Sequence, residues 1–206
     1  TSNKEIINIY EDQTNPVLAK NIKQKFSKYF KIYEMKSKID YRSTKIKSEN
    51  FFFERLTADT KKKQSNLIKK YSINSIPTVL NLKRCGNKFQ LRKFYGNVVD
   101  LEFDNFFQKN LVYKDYEIIS NNVNFFILRN LKNENCKNKK FIARFIFFID
   151  VLYENKNILS LSTELELDKI KVAKTNLFEF KRTISRLKEM RSSEYIRENL
   201  KRVFRK

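Results

Sequence analysis

The chain has very few places where it can turn sharply, and most of them surround one segment. Its 206 residues include two glycines and two prolines, and three of these four lie in Tyr71–Gly96, at Pro77, Gly86 and Gly96. Glycine reaches left-handed backbone conformations and proline fixes φ, so this segment concentrates the chain's turn chemistry. Thr78–Lys83 and Phe89–Tyr95 carry β-favouring residues on either side of Arg84–Lys88. With Gly86-Asn87 at the turn, the pattern predicts an antiparallel hairpin, and Cys85 sits at its tip.

Upstream, Ile6–Tyr10 predicts a strand and Val17–Phe30 a helix, with Leu18, Ile22 and Phe26 at helical spacing. Pro16 suits the first helical turn, and Thr14 or Asn15 can cap it. Lys31–Asn50 is basic, polar and aperiodic, which fits an insertion. Phe51–Leu56 predicts a strand and Thr60–Tyr71 a helix, with Leu67 and Ile68 inward and the lysines in solvent. Val98–Val112, with Leu101, Phe103, Phe106 or Phe107 and Leu111, predicts an amphipathic helix.

This order of elements, with Ser75-Ile76-Pro77-Thr78 ahead of the hairpin, resembles the thioredoxin-like superfamily over residues 1–112. The resemblance implies an α/β fold, a central mixed sheet flanked by helices. It also implies a cis Ile76–Pro77 bond beside a groove that binds extended peptide. Thr14-Asn15-Pro16-Val17 stands where that family carries Cys-x-x-Cys, so the implied member is redox-inactive. No enzymatic activity, cofactor or metal is expected of it.

Residues 113–206 contain neither Gly nor Pro and read as a C-terminal α-rich extension or a second α+β domain. Glu117–Ser120 and Val123–Arg129 predict strands, and Asn130–Lys140 a polar loop. Phe141–Tyr153 is apolar nearly all round, which suits a buried helix or a buried pair of strands; its length favours the helix. A strand at Asn157–Ser162 follows. In Lys169–Lys206 a seam of Leu177, Phe180, Ile184 and Leu187 predicts a helix, and a second seam of Ile196, Leu200 and Val203 requires a break near Ser192-Ser193. Arg182, Arg186, Lys188 and Arg191 are the polyanion-binding candidates of this basic segment, which equally suits a docked helix with a solvated outer face.

A formal charge of +21 and no histidine favour polyanionic partners and remove the commonest general base and metal ligand. The abundance of Lys, Asn and Ile fits an AT-rich coding genome as well. Two distant cysteines exclude a disulfide framework. No apolar run reaches the roughly 18–20 residues a membrane span needs, since Arg144 and Asp150 interrupt the strongest. Redox-inactive thioredoxin-like proteins serve in the microtubule cytoskeleton of apicomplexan parasites. The resemblance therefore implies a structural adaptor on an acidic assembly such as tubulin, in the cytoplasm. The alternatives are an RNA-associated subunit, in mitochondria for example, or a peptide-binding module of the secretory lumen after loss of a presequence.

Overall fold

The computed structural model describes residues 25, 50–84 and 87–203, and those from 50 onward belong to one compact unit. Among the described residues the chain forms β1 (Phe52–Glu54), α1 (Ala58–Tyr71), β2 (Thr78–Arg84), β3 (Asn87–Phe94), β4 (Val98–Glu102) and α2 (Phe103–Phe107). There follow α3 (Tyr113–Asn122), β5 (Phe125–Leu131), α4 (Lys139–Glu154), β6 (Ile158–Thr163), α5 (Leu177–Met190) and α6 (Ser193–Val203). The six strands make one mixed sheet in the order β1-β6-β5-β4-β3-β2. β1, β6, β5 and β4 run parallel, and β2 and β3 are added antiparallel.

The parallel part is covered on both faces, which is why its central strands β5 and β6 are buried almost throughout rather than on alternate residues. Phe125 and Phe126 point to opposite sides of β5. Phe125 meets Tyr71 of α1, with ring centroids 5.6 Å apart, and Phe126 meets Phe148 of α4 at 5.5 Å. Helix α1 starts where the Thr57 hydroxyl accepts the Thr60 amide at 3.1 Å, a side-chain N-cap. On the opposite face Phe103, Phe106, Phe107, Tyr116, Phe145 and Phe148 form a buried aromatic cluster. Its tilted and edge-on contacts fill the space between α2, α3 and α4.

The hairpin, the helix over 141–153, the strand after it and the break before Ser193 stand as the residue pattern requires. Two elements do not. Val98–Glu102 is a strand, not the start of a helix: Val98, Val99 and Leu101 are buried between two helical layers, and three apolar residues in so short a stretch satisfy either geometry. Glu117–Ser120 lies in α3, not in a strand, because the Asp115 carboxylate accepts the Val112 amide at 2.9 Å and starts a helix there.

These changes alter the topology. The hairpin leads into a third strand, and the sheet takes β1–β4 from before residue 112 and β5–β6 from after it. The Ile76–Pro77 bond is trans, so the cis geometry expected of a thioredoxin-type groove is absent. The expected strand at 6–10, the helix at 17–30 except for Lys25, the loop Thr14-Asn15-Pro16-Val17 and Cys85 lie outside the described residues.

Candidate functional site

In a parallel sheet covered by helices, ligands meet the carboxyl ends of the strands, where loops fan out and backbone groups are free. Here that edge carries a dense polar network. Arg129 near the end of β5 pairs with Asp100 of β4 at 2.5 Å, both side chains 8% exposed. The guanidinium also donates to the Lys61 carbonyl and the Ser65 hydroxyl of α1, each at 3.3 Å. One side chain thus ties together two strands and a helix.

The next residue, Asn130, has φ of 62°, a left-handed conformation that asparagine tolerates better than most residues. Its amide nitrogen donates to the Ser162 hydroxyl at 3.0 Å and its side chain to Glu102 at 2.7 Å, linking β6, β5 and β4. Asn135 donates to Asp104, and the Asn133 amide donates to Glu164 at 2.7 Å. Arg55, also at positive φ (82°), continues β1 with its amide on the Thr163 carbonyl at 2.8 Å.

Every carboxylate named in this network already has an internal partner. Among the described residues no group of three candidate metal ligands comes together. The Cys136 thiol is 1% exposed, and burial pushes it up to about 12, far from a reactive thiolate. Burial likewise raises the Tyr116 hydroxyl. The chemistry of this edge is orientation: it fixes the strand ends and the loops that leave them.

Beside it, between β3 and β4, opens a cleft of about 1040 Å³. Arg84, Lys88, Arg92, Lys93 and Lys109 line it together with Asp100, Glu102 and Asp115. Asp115 is taken by Arg84 at 2.5 Å, and Asp100 is shared between Arg129 and Lys93.

The structure disperses the sequence-derived candidates. Ile76 is 76% exposed and, with Pro77, precedes edge strand β2. All four basic candidates of α5 and its end have internal carboxylate partners. Arg182 reaches Asp150 at 2.5 Å. Arg186 pairs with Asp150 and lies 5.0 Å from the Tyr153 ring centroid. Lys188 meets Asp168 at 2.7 Å and Arg191 meets Glu54 at 3.0 Å. Their described role is to clamp α5 onto α4 and the sheet edge.

Arg129, Asp100 and Asn130 were not among the expected site residues. A readable signal existed: Arg129 follows Phe125–Leu128 and Asp100 follows Val98-Val99, so each is a charge inside an apolar strand and needs a partner.

A sequence model described as AFG1-like ATPase matches residues 1–199. An uncharacterized protein of Schizosaccharomyces pombe is 28% identical over 133 residues, which cover 64% of this chain and 29% of that relative. The chain therefore spans less than a third of that relative's length. No solved structure matches. The family match overturns the thioredoxin-like resemblance and, with it, the redox-inactive microtubule adaptor and the expectation of no enzymatic activity. The resemblance rests on an order of elements that includes a helix over Val98–Val112, where the structure has strand β4 and the short helix α2, and on a proline that the structure holds trans.

Proposed function

The chain belongs to the AFG1-like ATPase family, and from that membership we propose that this protein hydrolyses ATP, its α/β unit being of the P-loop NTPase type. The observation that carries the reading is the match over residues 1–199. The parallel strands β4, β5, β6 and β1, covered by helices on both faces, support it.

In a P-loop NTPase the nucleotide's phosphates are held by a glycine-rich backbone cradle ending in Gly-Lys-Ser or Gly-Lys-Thr. Gly86 and Gly96 are the two glycines of the sequence, and neither precedes such a pair. Gly96 instead turns the chain between β3 and β4 at φ of 85°. This sequence thus holds no such cradle; the hydrolysis is proposed of the whole protein, and the part proposed for the described residues is to hold the sheet and its carboxyl edge in shape. Arg129 and Asn130 do this by joining β4, β5, β6 and α1.

The test is release of inorganic phosphate from ATP by the full-length protein, with magnesium. Sustained turnover is expected. Folded protein that releases no phosphate above the blank refutes the proposal.

A further inference from the structure

Strands β3 and β4 face each other at a single pair, Phe94 with Val99. Beyond it they diverge, and Lys88–Lys93 and Asp100–Glu102 become two lining segments of the 1040 Å³ cleft. Paired strands sit about 4.8 Å apart and satisfy each other's backbone groups; here the Gln90 carbonyl accepts the Lys109 ammonium at 2.9 Å instead. Leu91, Leu101, Phe106 and Leu111 line the cleft and are buried, giving it an apolar floor.

The rim is cationic beyond what its own carboxylates neutralise. Arg84, Arg129 and Lys93 use Asp115 and Asp100, and Asn130 holds Glu102. Lys88, Arg92 and Lys109 have no carboxylate partner among the described residues. Partial burial, and then the nearby Arg92, lower the proton affinity of Lys109, as expected where positive charge is in excess.

We infer that the split between β3 and β4 is a docking slot for an extended acidic polypeptide segment, added as a strand with its carboxylates on Lys88, Arg92 and Lys109. Strand addition uses the backbone edges, the alternating apolar side chains use the floor, and charge sets the choice of partner. A nucleic acid would use the rim but offers no peptide backbone to the strand edges and no aliphatic side chain to the apolar floor, so the geometry favours peptide.

The probe is a fluorescein-labelled octapeptide of alternating Glu and Val, matching the 8 residues of β3. Its anisotropy is titrated with the full chain at about 0.15 M ionic strength. Saturable binding is expected, with new amide-exchange protection across Lys88–Arg92 and Asp100–Glu102. N-methylation of alternate peptide amides should abolish it. The K88E/R92E variant should bind about tenfold more weakly. The K62E/K69E variant, with the same charge change on the exposed face of α1, should bind like wild type.

No binding refutes the slot. So does equal binding by the N-methylated peptide, equal weakening by the two double variants, or competition by an oligothymidylate of the same charge at equal concentration. If K88E/R92E fails to fold by far-ultraviolet circular dichroism, the N-methylation comparison on wild type decides alone.

Discussion

Removing Asp100 should cost more than removing its partner Arg129, and the inequality follows from what each deletion leaves behind. In D100A the Arg129 guanidinium remains in a site where its side chain is 8% exposed. It keeps two neutral acceptors, the Lys61 carbonyl and the Ser65 hydroxyl, both at 3.3 Å. An uncompensated buried charge of this kind costs about 3–5 kcal/mol. In R129M the orphan is Asp100, but Lys93 already stands 3.9 Å away with its side chain 56% exposed. That ammonium can close on the carboxylate, so the loss should be smaller, about 2–3 kcal/mol. The double variant D100L/R129M leaves no buried charge and should fall within about 1 kcal/mol of wild type, because the desolvation of both ions disappears with their attraction. Urea unfolding followed by circular dichroism reads all three. With m near 2 kcal/mol per molar, D100A should move the midpoint by about 2 M at unchanged m. A D100A midpoint within experimental scatter of wild type, or a double variant as unstable as D100A, would refute the burial argument.

Gly96→Ala should destabilise by about 1–2 kcal/mol in the same assay, since φ is 85° and a Cβ would lie 3.1 Å from that of Ile73. Thr57→Ala removes the N-cap of α1 and should cost about 1 kcal/mol, with Thr57→Asp restoring most of it. The Cys136 thiol, held up to about 12 by burial against an ordinary 9.0, stays protonated when folded while the unfolded chain ionises first. Its contribution is therefore intact below pH 9 and is lost as pH rises toward 12. Unfolding midpoints across that range should fall less steeply in Cys136→Ala. A coloured disulfide reagent at pH 8 should label Cys136 only on unfolding, and labelling at the rate of a free thiol would contradict its burial.

Element existence was legible wherever local chemistry was unambiguous. Leu67 and Ile68 among solvated lysines mark α1, the β-favouring residues around the hairpin turn mark β2 and β3, and the length of the apolar run marks α4. The failures have separate causes. Val98, Val99 and Leu101 are buried on both faces of a strand sandwiched by α1 and the α2–α4 layer, and no period distinguishes so short a stretch from a buried helix; Glu117–Ser120 turns helical because Asp115 caps the Val112 amide. A helix at Val98–Glu102 would close the topology after the hairpin and leave the first 112 residues as a smaller fold of their own, whereas strand β4 carries the sheet on to β5 and β6. The polar edge was half visible: a charge inside an apolar strand demands a partner, but pairing Arg129 with Asp100, 29 positions away, needs the register of β4 on β5.

What the sequence determined by itself was an α/β composition, the positions of most helices and strands, a strongly positive field and the want of a thiol pair or histidine for redox or base chemistry. Those properties are local or additive, so they survive without coordinates. What only the tertiary structure decided was which strands are neighbours, which arginines are consumed by internal carboxylates, and that β3 and β4 part to leave a basic slot. These depend on residues distant in the chain meeting in one sheet, and the free energy that selects the arrangement, burial of apolar area with every interior charge paired, is a property of the assembled whole.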